Sequence, residues 1–171
     1  MLNFINPDTL APPPSNFSHV VDVPDGTRMA FISGQVGVDR EGDSVEDFAG
    51  QCRQVLENLE RALAAVDMRI TDIVRLNAFI TDAGDVGAFR DIRDDWSGGH
   101  PAASTLVVVS ALAAPGWKVE IEAVAARAAS AKRGARAGWR SRTWPAATRR
   151  RRARARRRRR SPTRRSSRGA R

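Results

Sequence analysis

Between Val45 and Val66, apolar residues recur at steps of three and four. Val45, Phe48, Ala49, Cys52, Val55, Leu56, Leu59, Ala62, Leu63 and Val66 form one continuous stripe. A stripe of that spacing and length specifies an amphipathic helix lying on a core. Ser44-Val45-Glu46-Asp47 reads as its capped start, with carboxylates near the positive end of the helix dipole. What the helix covers must come from its flanks. Asp72 to Ile80 follows with Val74, Leu76, Ala78 and Ile80 in strict alternation, the pattern of a half-buried strand. Upstream, after the Pro12-Pro13-Pro14 loop, Phe17 to Val23 and Arg28 to Val38 read as two strands. The turn Pro24-Asp25-Gly26-Thr27 joins them, so the pair is expected to be a hairpin. Gly34 and Gly37 in the second strand indicate a bulge, or a place where something approaches the backbone closely. Strand, helix and strand in this order imply a right-handed crossover between parallel strands.

A shorter helix is expected from about Asp85 to Trp96, with Val86, Phe89, Ile92 and Trp96 inward and Gly98-Gly99 as its stop. Leu106 to Val109 is a solid apolar run, which suits a strand buried on both faces. Pro115-Gly116 makes a turn, and Trp117 to Ala125 alternates as the last strand. The order is therefore ββαβαββ: an α+β domain with a mixed sheet and two helices on one face. Two helices cover only one face of such a sheet. The run at 106–109 also needs cover on the other, and no remaining segment supplies it. Self-association is the expected answer.

Charge divides the chain in two. Residues 131–171 hold 19 of the 29 Lys and Arg residues and none of the 19 acidic ones. Residues 1–130 are left with 10 basic and 19 acidic side chains, a net of −9. The formal +10 of the whole chain thus describes the tail and not the domain. Residues 131–171 also contain no Leu, Ile, Val, Met or Phe. With nothing to bury and strong self-repulsion, this tail is expected to be disordered. Its alphabet of Arg, Ala, Gly, Ser, Thr, Pro, Trp and Lys is one that GC-rich codons specify. Two origins stay open, a selected basic element and a read-through or frameshifted end. Arginine-rich chain binds phosphate backbones non-specifically and with steep salt dependence, so nucleic acid is expected to associate through the tail only.

Other classes are disfavoured by what 1–130 holds. Cys52 is the single cysteine, which rules out an intrachain disulfide and suits a reducing compartment. His19 and His100 are the only histidines and show no metal-ligand spacing, so no metal is expected. No apolar run approaches the length of a membrane span, and the first residues lack the pattern of a signal peptide. A cytoplasmic protein without a membrane partner is expected.

The stretch Ala102 to Ala125, AASTLVVVSALAAPGWKVEIEAVA, resembles the C-terminal signature of the reactive intermediate deaminase (Rid, YjgF-like) family. In that signature a small-residue pair and an Arg precede an apolar strand, a loop and an apolar-Glu-Ile/Met-Glu-Ala block. Ser33-Gly34-Gln35 is similar to the family's SGQ segment, and Gln51 to Leu63 resembles its first helix. The likeness runs colinearly over about residues 15–126. It implies a chorismate-mutase-like fold, a homotrimeric barrel and small-molecule pockets at the subunit interfaces. It also implies hydrolysis of reactive enamine or imine intermediates, such as 2-iminoacids, to carbonyl product and ammonia without a cofactor.

Imine hydrolysis needs a grip on the substrate carboxylate, a positioned water and a proton source for the departing nitrogen. The resemblance implies Glu120 as the residue that orients water, against the plainer role of a solvated or barrel-lining carboxylate, and Glu122, two residues on along the same face, reads as structural. Phe17, Ser33, Gly34, Ser104 and Leu106 fall at pocket positions. Aligned without gaps, the family's carboxylate-gripping Arg is matched by Ser104, and with a one-residue slip by Ala103; neither forms an ion pair. Phe17 stands where many members have Tyr. Arg90, on the second helix where Asn is common, is the candidate substitute for the missing Arg, against the plainer role of a solvated helix-face side chain. Cys52 belongs to the apolar stripe, and His100 lies either at the pocket mouth or simply in a loop. The resulting expectation is an imine deaminase of altered substrate range. The alternatives are a non-catalytic small-molecule binding or sensing trimer, and an RNA-associated protein acting through its basic tail.

Overall fold

The computed structural model describes residues 1–128. The expected boundary at 130/131 and the arginine-rich tail 131–171 lie outside the described residues. The long helix, α1, spans Phe48–Ala64 and starts where an aspartate can cap it: the Asp47 carboxylate accepts the Gly50 amide at 2.7 Å. Its stripe is buried as the spacing requires, with Cys52, Val55 and Leu59 at 0 % exposure. The second helix, α2, spans Val86–Ser97 and ends on Gly98, whose φ of 58° is the left-handed conformation that glycine adopts without a Cβ penalty. Both helices lie on one four-stranded sheet. Its strands are β3 (Thr27–Val36), β4 (Ile73–Ile80), β5 (Ala103–Val108) and β6 (Val119–Ala128), in the spatial order β3-β6-β4-β5.

β6 is antiparallel to β3 on one side and to β4 on the other. β3 and β4 therefore run parallel to each other, as the strand–helix–strand order predicts, but with the last strand inserted between them. β4 and β5 form a directly paired parallel couple around α2. From the helix side, Leu76, Ala78 and Ile80 of β4 and Val119, Ile121, Ala123 and Ala125 of β6 join the α1 stripe and Phe89 of α2 in one core. This is the α+β, two-helices-on-one-face arrangement read from the sequence.

The expected N-terminal hairpin is not formed. The second strand, β2 (Val20–Asp22), pairs with β1 (Asn3–Ile5) in a separate two-stranded sheet, and β3 pairs with β6 instead. The proline turn does form, with the Thr27 hydroxyl donating to the Pro24 carbonyl and Gly26 at φ 71°. The turn leads into β3 without a ladder between the two strands: β2 is engaged by the Asn3–Ile5 segment, and the His19 amide donates to the Asn6 side chain at 2.9 Å. The run at 106–109 lies at the edge of the sheet. β5 is the edge strand, and Val107 and Val108 are 41 % and 45 % exposed in the single chain. Leu106 alone of the paired run packs on the core.

Polar side chains fasten the layers. Gln51 is fully buried; its Nε2 donates to the carbonyls of Val45 and Gly116, both at 2.8 Å, and its Oε1 accepts the Lys118 amide at 2.8 Å. One carboxamide thus ties the approach to α1 to the turn before β6, and satisfies groups that would be costly to bury unpaired. Gly37 packs against this side chain so closely that a Cβ there would lie 2.5 Å from Gln51 Cβ. Asn58 donates to the Val36 and Val38 carbonyls at the end of β3. Burial raises the Cys52 thiol to about 12, with the Asp85 charge adding to the rise and Arg53 opposing it. Among the described residues no helix is long and apolar enough to cross a membrane.

Candidate functional site

The sheet face opposite the helices carries a cluster of polar side chains. Strand alternation sends Arg75, Asn77 and Phe79 of β4 to this open face, since Leu76, Ala78 and Ile80 point at the helices. On β6 the same alternation presents Glu120, Glu122 and Val124. Cross-strand register places Phe79 opposite Glu120, Asn77 opposite Glu122 and Arg75 opposite Val124. On β3, Phe31 sits opposite Val124. The β3–β6 ladder then breaks between Ile32 and Gln35, so Ser33 and Gly34 form the bulge that the glycine predicts.

Gly34 and Glu120 meet at that bulge. A Cβ added to Gly34 would sit 1.9 Å from Glu120 Oε1, so only glycine lets the carboxylate lie against the β3 backbone. Glu120 is half-buried. It lines a hollow of about 410 Å³ together with Phe79, Glu122 and the 109–113 loop. A neighbouring hollow of about 240 Å³ is bounded by Phe31, Ser33, Arg75, Asn77, Glu122 and Val124. Glu122 borders both. A chain of hydrogen bonds crosses the second hollow: Arg75 donates from Nε to Asn77 Oδ1 at 2.9 Å and from its terminal nitrogen to Thr105 Oγ1 at 2.7 Å. Asn77 Nδ2 in turn donates to Glu122 Oε1 at 2.7 Å.

The remaining sequence candidates fall elsewhere. Ser104 and Leu106 share the helix-facing side of β5, with Leu106 on the core, whereas Ala103 and Thr105 share the open face with Arg75. Of the two positions expected from the resemblance to match the family's Arg, only Ala103 projects onto the face that holds Glu120. Arg90 is exposed on α2, on the helix side of the sheet and away from Glu120. Phe17 packs edge-on to His19, at 5.6 Å between centroids, in a segment held to β5 by the Ser18 amide and the Ala102 carbonyl. His100 bonds through Nε2 to the Ile73 carbonyl at 2.7 Å and meets the Phe4 ring edge-on, a fastening of β1 to the start of β4. Sequence reasoning passed over Arg75, Asn77 and Thr105. The sequence shows only that Arg75, Asn77 and Phe79 alternate with Leu76, Ala78 and Ile80 on β4, a pattern that an exposed strand face shares.

A family model described as Endoribonuclease L-PSP matches residues 9–127, which is nearly the whole described chain. The chain belongs to the Rid (endoribonuclease L-PSP) family. This Rid-family chain is 38 % identical over 111 residues to Protein DfrA of Myxococcus xanthus, covering 64 % of this chain and 83 % of that protein. It is 34 % identical over 103 residues to the 2-iminobutanoate/2-iminopropanoate deaminase of Salmonella typhimurium, covering 58 % and 80 %. Among solved structures it resembles the Yersinia pestis YyfB protein of the conserved Rid family, with a TM-score of 0.66, 35 % identity and coverage of 72 % and 97 %. The Escherichia coli YjgF gene product superposes with a TM-score of 0.55 at 30 % identity, covering 65 % and 87 %.

Proposed function

We propose that this Rid-family chain is a cofactor-independent enamine/imine deaminase of altered substrate range, acting as a homotrimer whose copies close over the open sheet face. The observation that carries the reading is the Glu120 carboxylate lying on Gly34 at the β3 bulge. Hydrolysis of an imine adds water across C=N and then expels ammonia, leaving a carbonyl. Each stage moves a proton, first off the water and then onto the nitrogen. A carboxylate held at a ladder break accepts a hydrogen bond from the attacking water and carries its proton to the departing nitrogen. The skipped residues Ser33 and Gly34 give the ligand a stretch of backbone that the β6 ladder does not occupy. In this reading the family's Arg position is taken by Ser104 or, with a one-residue slip, by Ala103, and neither can pair with a carboxylate directly bonded to the reacting carbon. Small 2-iminoacids are therefore poor substrates in this reading.

Assembly follows from exposure on the same face. Phe31 at 78 %, Met29 at 47 % and Val107 at 41 % leave an apolar surface that further copies would cover, and the ligand hollows would be closed by them. The test uses the full chain: ammonia and carbonyl release from freshly generated imines, with and without a carboxylate on the imine carbon. Glu120→Gln is expected to lower turnover of the better substrate by about 10²- to 10⁴-fold, the usual size of a general acid–base contribution. Unchanged turnover in that variant removes Glu120 from the mechanism. Ligands that shift Tm with no release above the buffer rate would replace the enzyme by a small-molecule binding protein.

A further inference from the structure

Past the bulge, the apolar pattern of β3 and its register disagree. Upstream, Ala30 and Ile32 pair with Ala125 and Ala123 and pack on the helix-side core, while Met29 and Phe31 are exposed. Continued without a break, that alternation would put Val36 opposite Val119 on the helix side and Gln35 opposite Glu120 on the open side. The structure does the reverse. With one extra residue between Ile32 and Gln35, Gln35 pairs with Ile121 and Val36 with Glu120. An apolar side chain is thus turned to the open face and a carboxamide to the helices. The short ladder beyond the break does not impose that register on a strand patterned for the other one. It has to be held from outside.

Two side chains of α1 hold it. Asn58 Nδ2 donates to the Val36 carbonyl at 3.2 Å and to the Val38 carbonyl at 2.9 Å, while its Oδ1 accepts from Gln54 at 3.0 Å. Two turns earlier on the same helix face, Gln51 accepts the Lys118 amide, just before β6, and donates to the Gly116 and Val45 carbonyls. The Val45 amide returns to the Gly37 carbonyl at 3.1 Å, and the Lys118 carbonyl accepts the Thr81 amide at 3.1 Å. One helix therefore grips β3 just after the bulge and the chain just before Glu120. We propose that Asn58 and Gln51 are positioning residues of the site. They hold the end of β3 one residue out of its own apolar phase, which keeps Gly34, the residue without a Cβ, beneath the Glu120 carboxylate. In the unbroken register Gln35 would stand opposite Glu120, and its side chain would fill the place that glycine leaves free.

The consequence for Glu120 rests on the proposed deaminase reading; the register does not, and it is read directly. Cross-strand backbone contacts are measured by NMR on the full chain and on its Asn58→Leu and Gln51→Met variants. The parent is expected to show the contact between Val36 and Glu120. In Asn58→Leu, checked for a cooperative urea transition, that contact is expected to weaken and one between Val36 and Val119 to appear. Gln51→Met is expected to act in the same direction. Asn58 is only partly buried, so its variant gives the answer even where Gln51→Met fails to fold. A lowered urea midpoint with the Val36–Glu120 contact intact in Asn58→Leu makes the role merely structural and overturns the proposal. Exchanging the two side chains, Gln35→Val with Val36→Gln, makes the pattern agree with the shifted register. Added to Asn58→Leu, the exchange is expected to restore the contact between positions 36 and 120; failure to restore it counts equally against the proposal. Turnover of the better imine should fall about 10²-fold in Asn58→Leu, the scale of a small misplacement in a site, and recover with the exchange. A register that moves as described in a protein without turnover removes the deaminase reading alone. Turnover that depends on Glu120, with a register that never moves, removes this inference alone.

Discussion

The two faces of the four-stranded sheet are written by the same alternating strands and finished to different degrees. On β6, Val119, Ile121, Ala123 and Ala125 face the helices and are at most 4 % exposed. Their neighbours Glu120, Glu122 and Val124 face the other way and retain exposure. The helix side is completed by the chain itself: α1 and α2 fill it, and Gln51 and Asn58 satisfy the carbonyls that the layer buries. The open side combines a large exposed phenylalanine, a bulge and a chain of polar side chains, and no described element is laid over it. A face that is closed within one chain carries stability, whereas the open face keeps its polar and apolar groups available, which is where the proposed function places the ligand.

The sharpest way to break that comparison is to truncate on the closed side. Leu59 is fully buried between α1 and the sheet, so Leu59→Ala should cost about 2–5 kcal/mol in urea unfolding. A loss under 1 kcal/mol, the size expected of a surface change, would mean that the two faces do not differ as described.

A second test reads the same core through pH. The unfolded Cys52 thiol ionises near its ordinary 9.0 and the folded one near about 12. Between those values the unfolded chain has given up a proton that the folded chain keeps, so stability falls as pH rises through this window and is untouched below it. The chain has no tyrosine to blur the measurement. Urea midpoints followed from neutral pH to about pH 10 should decline more steeply for the parent than for Cys52→Ala. Parallel slopes would mean that the thiol titrates normally in the fold.

The smallest effect on the single chain is expected on the open face. Phe31→Ser should change the unfolding midpoint, extrapolated to low protein concentration, by no more than about 0.5 kcal/mol. In sedimentation it should shift the parent's assembly toward single chains. A stability loss like that of Leu59→Ala would place Phe31 in the intrachain core.

How much of this was legible depends on which face a residue serves. The two helices, the glycine stop of α2, the span of β4 and the Gly34 bulge could be read because burial within one chain imposes a period. By contrast, α1 starts after Asp47 instead of at Ser44, and β6 runs from Val119 to Ala128 instead of from Trp117 to Ala125. The N-terminal pairing was missed because a proline turn between two apolar runs looks like a hairpin whichever partner β2 takes. Phe4 and Ile5 are too short a run to announce a strand. The edge position of β5 was hidden for a related reason: Leu106 to Val109 is equally apolar whether helices or another surface cover it. Arg75, Asn77 and Thr105 escaped because a polar residue at an alternating position ordinarily signals solvent, and only register shows that they converge. Conversely, Arg90 drew attention by its place in an alignment, and α2 carries it to the far side of the sheet.

The insertion of β6 between β3 and β4 has a kinetic consequence. The centre of the sheet is the last strand of the domain to be synthesised, and β3 and β4 have no direct ladder to each other before it arrives. Gln51, too, waits on Gly116 and Lys118 for two of its three bonds. The nascent domain must hold two unmatched strand edges open until its final segment emerges. Such non-local closure makes for slow folding, so a chain shortened before Val119 would leave separate pieces of sheet instead of a smaller domain.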